Sequence, residues 1–178
     1  MMKLGKLDFT DVADNSGLIA DPVRKMIQEK NLPGIYVSEI DSKVSDTAAF
    51  CEQYGVSKSV SANCVVIEAK VTDRVWYATC MILATDRVDV NGVVRRYLAA
   101  RKVSFAPMDI AVSMTAMEYG GITPIGLPPG WPIIIDRAVA VSEELIIGSG
   151  VRKSKLLVSG TLLAMLPNAV VMDIAKAA

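Results

Sequence analysis

The sequence predicts an α+β domain built around a mixed β-sheet. Three observations point there. Two runs, 63–71 and 75–84, are rich in Val, Ile, Trp, Tyr and Thr and flank Thr72-Asp73-Arg74, which reads as a hairpin. Stretches with apolar residues at helical spacing lie before and after that hairpin. Strands and helices do not alternate in the regular order of a parallel, doubly wound sheet. At 178 residues the chain has the length of one domain, and no internal repeat is visible.

The elements follow in order. Residues 1–17 read as an irregular arm ending at Asn15-Ser16-Gly17, with the domain proper over 18–178. A helix opens at Asp21, an N-cap residue, with Pro22 where the first helical N–H is not needed. Val23, Met26 and Ile27 continue it, and Pro33-Gly34 stops it. Residues 34–40 read as a strand, and 45–54 as a second helix with Ala48, Cys51 and Tyr54 on one side and Gly55 at its end. After the hairpin, Asp89 caps a third helix in which Val90, Val93, Val94, Tyr97 and Leu98 share a face. Residues 108–117 make a shorter helix rich in Met and Ala. The segment GGITPIGLPPGWP from Gly120 holds four Gly and four Pro in thirteen residues, which suits neither a regular helix nor a central strand. Short apolar pieces follow at 131–135, 144–147 and 155–158; Ser159 caps a last helix, and 170–174 closes the chain.

Composition excludes several classes of function. Hydrophobic residues make up 52% and charged residues 21%, which is globular rather than disordered. Nineteen basic residues balance nineteen acidic ones, so wrapping duplex nucleic acid by charge alone is not expected. The chain has no histidine, which removes every Ser-His-Asp, Cys-His and His-metal arrangement. Cys51, Cys64 and Cys80 fit no CxxC spacing and read as reduced thiols of a cytoplasmic protein. No metal and no cofactor is expected. The start lacks the apolar stretch of a signal peptide, and no apolar run approaches the roughly 18 residues that span a bilayer.

Four places could carry chemistry. The glycine- and proline-rich loop, from Gly120 and Gly121 through Ile122 and Thr123 to Pro124, can offer preorganised backbone N–H groups to an oxyanion or phosphate; the alternative is a tight structural crossover. Asp136 ends the apolar run Trp-Pro-Ile-Ile-Ile, where a carboxylate can orient a water or a substrate hydroxyl; the alternative is a cap, or a partner for Arg137. Gly148-Ser149-Gly150, followed by Arg152, Lys153 and Lys155, suits a phosphate or is a solvated charged turn. Arg95, Arg96, Arg101 and Lys102 form a local basic patch large enough for one strand end.

Taken together, GGITPIGLPPGWPIIID followed by GSGVRKSKLLVSG resembles the YbaK/ProX family, the aminoacyl-tRNA deacylases related to the bacterial prolyl-tRNA editing domain. The family's G-x-x-x-P loop is matched by Gly120–Pro124, its strand-ending Asp by Asp136, and its Gly-rich basic turn by residues 148–153. The resemblance runs from about Asp21 to about Ile174. It implies a single domain with a mixed, partly antiparallel and barrel-like sheet flanked by helices. It also implies hydrolysis of the ester between a mischarged amino acid and the 3′ adenosine of tRNA. Water would be the nucleophile and the glycine loop the oxyanion site, with Asp136 and Asn63 orienting the substrate. Expected partners are the acceptor end of aminoacyl-tRNA and a synthetase, with no membrane; a homodimer is compatible.

The sequence departs from the family at one place. A lysine is expected at the start of the strand after the second helix, and an ungapped count from Gly55 puts Asn63 there. Lys102 or Arg95 would then have to supply the charge that holds the terminal phosphate, beside Gly148, Ser149, Gly150 and Arg152. The second reading is therefore a non-catalytic module that only binds aminoacyl-tRNA, a nucleotide or a synthetase. Gly121→Ala is expected to impair deacylation at an unchanged melting temperature.

Overall fold

The computed structural model describes residues 1–177. Its strands are β1 (Met2–Leu4), β2 (Leu7–Asp11), β3 (Tyr36–Glu39), β4 (Ala62–Val71), β5 (Arg74–Leu83) and β6 (Asp86–Val88). After these come β7 (Lys102–Phe105), β8 (Ile133–Asp136), β9 (Leu145–Gly148), β10 (Ser154–Val158), β11 (Ala169–Met172) and β12 (Ala175–Ala177). The α-helices are α1 (Asp21–Lys30), α2 (Thr47–Tyr54), α3 (Arg95–Tyr97), α4 (Met108–Thr115), α5 (Arg137–Ala140) and α6 (Gly160–Ala164).

The hairpin expected from composition is the longest pairing, with Ala62 opposite Leu83 and Val71 opposite Arg74. It lies in a five-stranded sheet of order β11-β8-β5-β4-β7, where β8 runs parallel to both β5 and β11. Ile133, Ile134 and Ile135 are all buried, as a strand covered on both faces requires. The second sheet, β1-β2-β3-β10-β9, is antiparallel throughout and joins residues 2–39 to residues 145–158. A bridge between Ser61 and Ile146 ties the sheets together, so that the mixed α+β domain curls into a partial barrel.

Side chains alternate across each strand, and this sorts the core into layers. Val66, Met81, Ile133, Ile135, Ile147 and Leu156 meet in the main core, between the sheets. Ile67, Cys80, Ile82 and Ile134, one residue out of phase, pack outward against Val94, Leu98 and Ile174. Ile146 and Leu157 do the same on the other sheet, against Phe9, Phe50 and Val56.

Three local expectations change. Residues 2–11 are not irregular: β1 and β2 pair, and Leu7 and Phe9 are buried in the outer core. Their alternation with Asp8 and Thr10 covers only five residues, too few to stand out as a strand. Asp21 is not the cap of α1 but its first residue, with Ala20 in the cap position and the Asp21 carboxylate paired to Arg24. The helix capped by Asp89 opens as a π-helical turn, Val90–Val94, before α3, with the Asp89 carboxylate accepting from the Gly92 and Val93 N–H groups. The caps expected at Gly55 and Ser159 are present.

Candidate functional site

One cavity of about 470 Å³ lies between the sheets' adjoining ends. Its wall collects Asn63 and Cys64 from β4, Gly148 and Lys155 from β9 and β10, Gly120 and Ile122 from the glycine loop, and Ser45 to Ala48 where α2 begins. Phe105 and Tyr119 also line it and are 66% and 54% exposed, so they stand at its mouth.

The glycine loop reaches this wall through close backbone contact. Gly120 has φ +86°, a left-handed conformation that glycine adopts without strain. The Gly121 N–H donates to the Glu118 carbonyl, and the Gly150 N–H to the Gly121 carbonyl at 2.7 Å. The β9–β10 turn therefore holds the loop in place. Of the loop residues, Gly120 and Ile122 face the cavity, while Gly121, Thr123 and Pro124 are buried behind them. Ser149 and Gly150 act in the support as well. The Ser149 hydroxyl hydrogen-bonds to the Val151 and Ser154 carbonyls. Arg152 clamps the rim, its guanidinium donating to the Tyr119 and Ser42 carbonyls and its backbone N–H to the Glu118 carboxylate.

Asn63 lies in the wall, where its Oδ1 accepts from the Thr47 hydroxyl at 2.5 Å. Lys102 and Asp136 do not line the cavity. Lys102 is exposed on β7, opposite Lys70, and Arg95 donates to the Asn91 carbonyl on its own helix. Asp136 is 4% exposed, and its carboxylate accepts from three backbone N–H groups: Ala138, Ile174 and Ala175. That is the capping alternative, extended to the C-terminal segment. Arg137 pairs with Asp173 rather than with Asp136.

The cavity also holds Ser45, which the sequence did not mark, and Lys155, which the sequence left open between a phosphate contact and a solvated turn. Ser45 is 1% exposed, and its Oγ has no hydrogen-bond partner. Lys155 is 6% exposed; its ammonium donates to the Ser45 carbonyl at 2.8 Å and sits 5.3 Å from the centre of the Phe50 ring. Burial is the main reason its pKa falls to about 8, against partial support from Asp46 and Cys51. Lysine in a turn rich in cations looks solvated. The available signal was its place in β10, two residues from Leu157 and so on the face that packs against Phe50. Desolvation, with Cys80 nearby, pushes the Cys64 thiol well above the ordinary thiol range. It is a protonated wall residue and a poor nucleophile.

The Lys155 shift has a consequence for stability. The folded protein releases this proton near pH 8, whereas the unfolded chain keeps it to about 10.5. The unfolded state binds more protons in that window, so stability rises with pH. Lys155 by itself contributes about 1 kcal/mol of that rise between pH 8 and 9. The Cys64 and Cys80 thiols oppose it over the same window, because the folded state keeps them protonated while the unfolded chain begins to ionise them near their ordinary 9.0. Denaturant titrations of the wild type and Lys155→Met at pH 8 and 9 check this: the change in stability over that interval should be about 1 kcal/mol less favourable in the variant, and an equal change in both assigns the slope to another group.

The cleft between the two sheets of this partial barrel is thus walled by a glycine loop, an amide and a buried ammonium. The family model for the aminoacyl-tRNA editing domain matches residues 41–166, and the chain belongs to this family. No curated protein sequence matches the chain. A crystal structure of a protein proposed to be a trans-editing enzyme for prolyl-tRNA synthetase superposes with a TM-score of 0.74 at 15% identity, over 87% of this chain and 95% of that one. The crystal structure of a hypothetical protein gives 0.77 at 20% identity, over 88% of this chain and all of the other. A larger protein of Marinobacter aquaeolei VT8, proposed to act in signal transduction, gives 0.57 at 17% identity, over 86% of this chain and 30% of its own length. These likenesses establish the same YbaK-like fold.

Proposed function

We propose that the chain hydrolyses the ester between a mischarged amino acid and the 3′ adenosine of tRNA. Family membership supports the substrate class. The observation that carries the chemistry is the wall itself: a backbone loop at Gly120 and Ile122 facing the Asn63 amide, with no histidine and with its thiol held protonated. Such a wall favours attack by water over a covalent route. Backbone N–H groups of the loop would stabilise the tetrahedral oxyanion, each donor being worth about 3 kcal/mol. Asn63 and the Ser45 hydroxyl would orient the ribose or the substrate ammonium. Gly121, Thr123, Pro124, Ser149, Gly150 and Arg152 would serve as support that fixes the loop, and Asp136 as the cap that holds α5 and the C-terminal segment. A protein of this activity would work in the cytoplasm, where tRNA is charged.

Release of amino acid from a panel of mischarged tRNAs, at catalytic concentrations of protein, tests the proposal. Turnover of at least one is expected; absence of turnover on all of them defeats it. The amide at position 63 favours a second reading, a binder that shields the ester. Its mark would be slower spontaneous deacylation in the presence of excess protein.

The exposed rings at the mouth suit unpaired bases of the acceptor end. Phe105→Ala should raise KM for charged tRNA about tenfold, the loss of one stacked base, with kcat and stability unchanged. A KM within twofold of the wild type would remove Phe105 from tRNA binding.

A further inference from the structure

We propose that Lys155 is the phosphate anchor of the cavity: its ammonium, brought from β10, holds the phosphate that precedes the terminal adenosine. This rests on reading the cavity as the site for a tRNA 3′ end. Lys155 and Asp136 are the buried ionisable side chains, thiols aside, among the described residues. Asp136 has its carboxylate satisfied by three N–H groups. Lys155 does not match it: the ammonium makes one hydrogen bond, to the Ser45 carbonyl, and no ion pair within 4 Å is present. Two of its three donors remain for a ligand. An ammonium taken out of water without a counter-ion is costly, which makes a lysine a poor choice for merely clamping one carbonyl.

The surrounding charge agrees. Lys58 and Lys155 line the cavity against one carboxylate, Asp46, whose Oδ1 already accepts from the Ala48 and Ala49 N–H groups. Arg152 adds further positive potential at Lys155, and Cys51 is the remaining titratable group that acts on it. The wall thus carries an excess positive charge on a chain whose net charge is zero. A fixed positive charge suits a ligand already anionic in the ground state, which a phosphate is and an ester carbonyl is not. Asn63 of β4 and Lys155 of β10 face one cavity from different sheets. Asn63 carries no charge, and the ammonium of this wall comes instead from the other sheet.

The test is calorimetric binding of AMP and of adenosine at pH 8 in two buffers of different ionisation enthalpy. The AMP phosphate is fully ionised there, so any proton taken up on binding goes to the protein. AMP is expected to bind about tenfold tighter than adenosine, a charge-assisted contact. It should also take up about half a proton, because the arriving anion raises the Lys155 pKa; adenosine should take up none. Lys155→Met should abolish both the preference and the uptake, Lys155→Arg should keep the preference, and Asn63→Lys in the Lys155→Met background should restore it. Equal binding of AMP and adenosine by the wild type overturns the proposal with no variant needed. So does a preference kept by Lys155→Met. An AMP preference that depends on Lys155, in a protein that deacylates no tRNA, leaves the anchor standing and defeats the hydrolytic reading instead.

Discussion

Asp136→Ala is expected to destabilise the protein by about 4 kcal/mol while leaving the cavity chemistry intact. The carboxylate caps α5 through the Ala138 N–H and, through its second oxygen, holds the Ile174 and Ala175 N–H groups at 3.0 Å. Alanine orphans all three, at about 1–3 kcal/mol for each buried donor, with part recovered by water at the two less buried sites. For a chain of this length that is a fall of about 10 °C in Tm. The effect should centre on the C-terminal segment, seen as faster hydrogen exchange at Ile174 and Ala175. Well below the transition, kcat should match the wild type, because Asp136 does not line the cavity. A stable but inactive Asp136→Ala protein would return this carboxylate to the chemistry.

Gly121→Ala is expected to lose stability and deacylation together, by about 3 kcal/mol in stability. An added Cβ would lie 2.6 Å from the Val151 carbonyl oxygen and 2.7 Å from its carbon. Those are backbone atoms of the turn that holds the loop, so they cannot swing aside as a side chain would. Gly148 is under the same constraint from the opposite direction, with its Cβ position 2.4 Å from the Gly121 oxygen. The two glycine-bearing stretches interlock, and the expectation of an unchanged melting temperature does not survive this contact. Thermal unfolding of Gly121→Ala within 2 °C of the wild type, about 1 kcal/mol or less, would show that the turn can yield.

Local signals were legible in the sequence. The hairpin, the Gly55 and Ser159 caps and the irregular course after Gly120 each rest on a few neighbouring residues whose chemistry dictates conformation. Pairings between distant residues were not legible. β3 meets β10, and the Lys155 ammonium meets the Ser45 carbonyl across 110 positions, with no local pattern to announce either. The candidate site divides the same way. Gly120, Ile122, Asn63 and Gly148 were found because the glycine loop and its family counterparts mark them. Ser45 was not, and Lys155 stayed open between a phosphate contact and a solvated turn, since a serine before a helix and a lysine beside a turn look solvated until the second sheet covers them. Asp136 was ambiguous between a catalytic and a capping role because both place a carboxylate at the end of an apolar strand.

The antiparallel sheet also orders the birth of the protein on the ribosome. β3 leaves the exit tunnel early, but its neighbour β10 is made of residues 154–158. The hairpin of β4 and β5 can form as soon as it emerges, whereas the cavity has no second wall until residues 145–158 have been made. Contacts of such long sequence separation form slowly, and until they do the edge of β3 is open to pairing with another nascent chain. The pocket is therefore completed only when β9 and β10 have been made, and a polypeptide cut short before Ser154 carries the glycine loop without the strand that brings Lys155 to the cavity.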